Sequence, residues 1–210
     1  EGVSNAQSEV MSAYISNVIN ITPTVSAMAS VRIDNFRGST AYWATDKIEN
    51  QMAISPKFGI VYQPVKDKLS LFGNYMNGFK NVAPVEIADL DGGNVRLKLF
   101  DPEQANQYEL GIKSNLYKDK ISLTASYYNI YVSNKLMSDP ENINNTIQGA
   151  EVESKGIEIS AIANPIKGLN IVAGYSKNIT EVIKDNPDNG YLGLRPEESG
   201  PSELINFWIS

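Results

Sequence analysis

The chain has no cysteine and no histidine, and each absence removes a block of chemistry. Without cysteine there is no disulfide stapling and no thiolate metal site. Without histidine the usual general base, the usual triad member and the commonest zinc ligand are missing, so most hydrolase and metalloenzyme readings fail at the first step. No apolar run reaches the roughly 18 residues of a transmembrane helix, and the opening EGVSNAQSEV has neither the basic nor the apolar region of a signal peptide. Clusters of basic residues are absent too. The 18 Lys and Arg against 24 Asp and Glu leave a net charge of -6 and a pI near 4.8, which argues against nucleic acid as a partner. A mean hydropathy of -0.25 would suit an ordinary soluble domain, so the chain is either soluble or crosses a membrane as strands.

What the sequence does contain is alternation with a period of two. Val25, Ala27, Ala29, Val31 and Ile33 are apolar, against Ser26, Met28, Ser30, Arg32 and Asp34 on the other face, the signature of a strand with one greasy and one mostly wet face. The same pattern sets Ile54, Pro56, Phe58, Ile60 and Tyr62 against Ser55, Lys57, Gly59 and Gln63. It also sets Tyr108, Leu110, Ile112 and Leu116 against Gln107, Glu109, Gly111, Lys113 and Asn115. Shorter versions occur at 69–75, 121–127, 157–163, 169–175 and 205–209, and a less regular one at 10–21, where Asn17 interrupts the apolar face. Nine strands are therefore expected, all antiparallel and each paired with the next. Between Tyr127 and Val132 the apolar parity switches, which a β-bulge or a strand leaving the bilayer would produce.

Short and long connections alternate. The short ones, 22–24, 64–67, 117–120 and 164–168, use Pro, Asp, Lys and Gly as turn residues. The long ones, 35–52, 80–105, 134–150 and 182–202, are rich in Asn, Asp, Gly and Pro. Short turns on one rim and long loops on the other, joined by strands of about 10 to 13 residues, fit a transmembrane barrel with spans of about 9 to 11 residues. A soluble β-sandwich would also alternate, but its strands are usually about 5 or 6 residues and nothing in it keeps every second loop short.

The stretches SPKFGIVYQPVKDKLSLFGNYMNGFKNVAP (55–84), FDPEQANQYELGIKSNLYKDKISLTASYYNIYVSN (100–134) and ESKGIEISAIANPIKGLNIVAGYS (153–176), with NFWIS at 206–210, resemble the barrel of TonB-dependent siderophore receptors. That resemblance implies an all-β fold, about nine antiparallel strands of a 22-strand transmembrane barrel. Residues 1–210 would be a partial barrel domain incomplete at both ends, with no plug domain or TonB-contacting box visible. It further implies an outer-membrane receptor of a Gram-negative bacterium, importing ferric siderophores or similar iron complexes. Its partners would be that ligand, outer-membrane lipid, and TonB through the plug. No enzymatic activity, resident cofactor or metal site is implied.

In such a barrel the apolar sets face lipid, and Tyr62, Tyr75, Tyr131 and Trp208, near strand ends, would join the interfacial aromatic girdle. Arg32, Lys57, Glu109, Lys113 and Glu158 fall on the polar faces, where they would line the lumen and meet the plug, or simply be solvated. Ligand contacts belong to the variable external loops, with Tyr42, Trp43, Arg96, Tyr191 and Arg195 as candidates, since aromatic rings stack on flat chelators and a guanidinium suits an anionic complex. Asp89 and Asp91 sit in the same loops but lack the spacing of a calcium loop. Competing readings are a soluble all-β binding or adhesion module, a porin, and a glycan or peptide importer of the same superfamily. An enzyme built on the loop pair Glu197 and Glu198 has nothing to perturb those carboxylates.

Overall fold

The computed structural model describes residues 6–40, 49–82, 85–88, 93–118, 120–139, 141–142, 144–196 and 199–210. Nine strands form one antiparallel sheet in sequence order: β1 (Ala6–Thr22), β2 (Val25–Thr40), β3 (Glu49–Val65), β4 (Leu69–Lys80), β7 (Glu103–Leu116), β8 (Ile121–Ser138), β9 (Thr146–Ala163), β10 (Ile171–Lys184) and β11 (Glu203–Ile209). A small hairpin, β5 (Val85–Ile87) with β6 (Arg96–Lys98), rises from the connection between β4 and β7. The expected nine strands, each hydrogen-bonded to the next, are all present.

Register explains the two faces. Ala29 stands opposite Phe58, Phe58 opposite Tyr75, Tyr75 opposite Tyr108, and on the row below Leu110 lies opposite Tyr127 and Tyr127 opposite Ile157. Because side chains alternate strictly, one aligned apolar row forces every other residue of all nine strands onto the same side. The apolar rows run from Val25 to Ile33 on β2 and from Tyr108 to Leu116 on β7. Such a run spans about 30 Å along its strand, which at a tilt of roughly 40° gives a band close to the ~25 Å expected of membrane barrels.

That band has no protein partner among the described residues. Ile60 is 52% exposed, Leu110 66% and Ile205 77%, and there is no second sheet packed against them. A soluble sandwich would bury these side chains. The few buried apolar residues instead cluster near the long-loop end, at Ala53, Val82, Phe100, Ala150 and Val152.

Three details depart from the sequence reading. Most strands exceed 13 residues, with β8 and β9 reaching 18 each, because pairing continues beyond the apolar band. Asn35 to Gly38 still pair with Glu49 to Met52. Backbone donors need partners whatever their side chains, so polarity marks where lipid ends and not where the ladder ends. The parity switch at 127–132 is no bulge, since β8 keeps unbroken register with β7 from Ile121 to Ser133. Tyr128, Ile130 and Val132 simply give the polar face an apolar patch, and the irregularity comes later, at Asn134 (φ 59°). Trp208 stands opposite Val172, on the face away from the apolar band, so it is no girdle residue. Phe58, Tyr75 and Tyr108 form the upper aromatic row, with ring centroids 6.2 and 5.1 Å apart.

The short-turn rim is knitted by backbone bonds that carry the ladder past each turn, Gln63 N to Thr24 O at 2.7 Å, Asn115 N to Lys68 O at 2.8 Å and Asn164 N to Lys120 O at 2.8 Å. At Gly156 the strands approach so closely that a Cβ would lie 2.4 Å from the Lys177 carbonyl oxygen, with the Tyr128 ring covering the same spot.

Arginine on the apolar face should cost about 2 to 4 kcal/mol near the bilayer midplane. In the full-length protein, Ala29→Arg and Ile112→Arg are expected to reduce the heat-modifiable folded fraction on gels, whereas Ser30→Arg and Lys113→Arg are not. Equal losses on both faces would mean the faces are misassigned. Gly156→Ala should lower the temperature of the mobility shift, reflecting a cost of about 1 to 3 kcal/mol. Gly78→Ala, whose Cβ would meet nothing within 4 Å, is the matched control; equal shifts for the two would refute the close-approach account.

Candidate functional site

The polar face carries all five charged residues that alternation assigned to it. Arg32 stands opposite Tyr14 and Ser55, Lys57 opposite Ser30 and Met76, Glu109 opposite Asn74 and Tyr128, Lys113 opposite Ser70 and Thr124, and Glu158 opposite Ser126 and Ser176. Arg32 grips Asp34 two residues along the same strand, Nε to Oδ2 at 2.8 Å and Nη2 to Oδ1 at 2.7 Å. Ser12 on β1 donates to Asp34 Oδ1 at 2.5 Å and accepts from Arg32 Nη2 at 3.0 Å. Asp34 is only 1% exposed, and a carboxylate so placed is retained because the guanidinium and hydroxyl saturate it. Lys57, Glu109, Lys113 and Glu158 have no ion-pair partner among the described residues, as suits side chains facing water.

At the opposite end from the short turns, three strand tips bend together. Register shifts after Val132 on β8 and after Val182 on β10, and Gly149 on β9 takes φ 148°. The connection after β10 folds back on them. Gly193 N donates to Val182 O at 2.8 Å and Val182 N to Leu194 O at 2.9 Å, adding one rung to the strand end. A 3-10 turn at Pro187–Asn189 is capped by the buried Asn186, whose side chain accepts from Asp188 N at 3.1 Å. Gly190 and Gly193 supply the positive φ angles of the return. Between these tips and this connection lies a 660 Å³ cavity whose lining mixes apolar side chains such as Leu136, Val152 and Leu194 with Asp185, Tyr191 and Arg195.

Arg195 is held in place. Its Nη2 donates to Asn178 Oδ1 at 2.9 Å and to the Gly200 carbonyl. Asn178 in turn donates through Nδ2 to Pro201 O at 3.0 Å, and Thr180 donates to its Oδ1 at 3.3 Å. Tyr191 and Arg195, chosen from sequence as loop contacts, are thus brought to one cavity. Arg96 sits exposed on β6, away from that lining. Tyr42, Trp43, Asp89, Asp91, Glu197 and Glu198 lie outside the described residues. Sequence reasoning overlooked Asn178 and Asp34. The second had a readable signal, an acid two positions from Arg32 on the same alternating face; Asn178 had none, being one Asn among many.

The family model "TonB dependent receptor-like, beta-barrel" matches residues 2–201. The chain belongs to the TonB-dependent receptor family. It is 26% identical over 204 residues to the metal-pseudopaline receptor of Pseudomonas aeruginosa, covering 91% of this chain and 27% of that protein. It is 31% identical over 110 residues to the ferrichrome outer membrane transporter/phage receptor of Escherichia coli, covering 52% of this chain and 14% of that one. The chain spans about a quarter of the length of most curated relatives it matches. Among solved structures, the ferric preacinetobactin receptor of Acinetobacter baumannii superposes with a TM-score of 0.80 at 19% identity, over 99% of this chain and 30% of that one. The nine strands are therefore a section of barrel wall of this family, with one apolar and one polar face.

Each charge-assisted bond of Arg195 contributes about 1.5 to 3 kcal/mol. Arg195→Ala in the receptor should therefore speed hydrogen exchange of backbone amides in 187–200 by about tenfold or more, while those of β9 and β10 at mid-strand stay protected. Unchanged exchange in that segment would show that Arg195 does not hold it.

Proposed function

We propose that the chain forms part of an outer-membrane receptor of a Gram-negative bacterium that captures ferric siderophores or similar metal complexes at its long-loop rim and passes them inward, energised by TonB through a plug domain. The observation carrying this reading is the rim cavity on a wall of this family, with an aromatic ring and a tethered guanidinium in a mixed apolar and polar lining that also includes Lys135 and Asp185. Tyr191 offers a stacking surface for a flat chelator, and Arg195 offers positive charge to an anionic complex. The relatives named above are called receptors or transporters for metal-pseudopaline and ferrichrome. The metal arrives as cargo inside its chelate, so no resident ion and no covalent step is required.

On this reading Arg32, Lys57, Glu109, Lys113 and Glu158 face the plug, Glu109 and Lys113 being the leading candidates for contact with it. The outer edges of β1 and β11 pair with further strands, since unpaired edges do not persist in lipid. The soluble-module alternative loses its footing because the apolar face is continuous and uncovered, and nothing favours a glycan or peptide ligand.

The test is titration of the purified full-length receptor with ferrichrome and with ferric pyoverdine. Replacing Trp43, Tyr191 and Arg195 together with Ala should weaken binding of the accepted chelate roughly tenfold or more, about 1.4 kcal/mol or above, while heat-modified gel mobility stays that of the folded barrel. Unchanged affinity would move the contacts to other loops or the plug; no binding of any ferric chelate would overturn the siderophore reading.

A further inference from the structure

Two amide side chains on the β8–β9 hairpin do something unusual. Asn145 takes both backbone groups of Ala88, donating from Nδ2 to Ala88 O at 2.6 Å and accepting from Ala88 N at 2.8 Å. Gln148, three residues on, takes both backbone groups of Asp101, accepting from Asp101 N at 3.1 Å and donating to Asp101 O at 2.6 Å. The same Nε2 also reaches the carbonyl of Asn134, at 2.7 Å, within the β8 irregularity. A side-chain amide presents a donor and an acceptor with the spacing of a peptide group, so each pair reproduces one rung of an antiparallel ladder where no strand is available. Ala88 opens the turn of the hairpin β5–β6, just beyond the Ile87–Arg96 pair, and Asp101 lies three residues past its second strand. The second external connection is thereby fastened to the third at two points, the turn of its hairpin and its return toward β7. On the opposite side, Gln51 of β3 donates to the carbonyl of Phe100, a residue only 4% exposed.

We propose that Asn145 and Gln148 are positioning residues, holding the second and third external connections as one body and so presenting Arg96 to ligand in a preset place. The ligand part of this proposal rests on the uptake reading above. An external loop that must be ordered by its ligand subtracts that ordering cost from affinity, whereas one already pinned at two points does not. Ordinary satisfaction of polar groups would need only one bond per group; two reciprocal pairs, at the turn of one hairpin and beyond its second strand, both from one neighbouring hairpin, fix position as well.

The experiment uses the full-length receptor with spin labels on cysteines introduced at the exposed Glu86 and Glu141, one on each connection, and a control pair at Lys66 and Lys118 on the short-turn rim. The unmutated receptor should give one narrow 86–141 distance. The near-isosteric double variant Asn145→Leu, Gln148→Met should broaden it and leave 66–118 unchanged. Affinity for whichever of ferrichrome and ferric pyoverdine binds should fall about tenfold, and adding Arg96→Ala should cause little further loss, as expected if the amides act through Arg96. A narrow 86–141 distance in the double variant would overturn the proposal, and so would a broadened distance with unchanged affinity. If neither probe bound the unmutated receptor, the uptake reading would fall, while the distance measurement, which needs no ligand, would still decide the coupling.

Discussion

The antiparallel backbone ladder is the constraint on which everything else in this structure depends. Hydrocarbon offers no water to an open N–H or C=O, so a chain that crosses it as strands must pair every peptide group with a neighbour. Once β1 to β4 and β7 to β11 pair in sequence, the register leaves no freedom about faces. Ala29 opposite Phe58 commits Arg32 and Lys57 to the other side, and the same logic carries across the sheet to Glu158. Stability and function are thereby separated in space. The lipid face needs only apolar bulk, and the lumen face and rims can vary without touching a rung.

This coupling explains why so much of the fold was legible in the sequence. A period of two is the least ambiguous of patterns when it recurs over nine segments, and the short turns at Thr22–Thr24 and Tyr117–Lys120 delimit strands from one side. Family resemblance and alternation pointed to the same nine strands, and the charged residues of the polar face follow from the alternation alone. What alternation could not reveal was where the ladder stops. Asn35 and Glu49 look like loop because they are polar, yet they continue a hairpin above the bilayer, where a polar face is equally at home. The parity switch after Tyr127 misled for the same reason, since apolar side chains pointing at a lumen resemble a slipped register.

The candidate site was legible only in part, and the limit is physical. Tyr191 and Arg195 stand out by side-chain type, which suffices to nominate them. Their meeting at one cavity depends on Gly190 and Gly193 turning the chain and on the Gly193–Val182 rung returning it to β10. Asn178, Asn145 and Gln148 were illegible because an amide gives no hint of its partner. Its contribution comes from matching a particular backbone residue across the fold, and that match is set by strands far away in sequence. Asp34 lies between these extremes: its position beside Arg32 on an alternating face could be read, but its near-complete burial required Ser12 from the neighbouring strand.

Long strands at the external end bear on how such a rim can be both variable and selective. A loop hung on a strand that ends at the bilayer surface would start from a mobile base, and its contacts would be formed at the expense of ordering it. Here β8 and β9 carry the ladder well past Tyr127 and Ile157, an apolar pair of the band, before the chain is released into irregular structure. The rigid barrel thus extends upward as a hairpin, and that hairpin offers Asn145 and Gln148 as anchors for its neighbour. Side-chain amides suit this junction, because they supply ladder geometry at single points and impose no register on the residues between. Sequence in those intervening residues can then drift toward a new ligand while the scaffold presenting them keeps its shape.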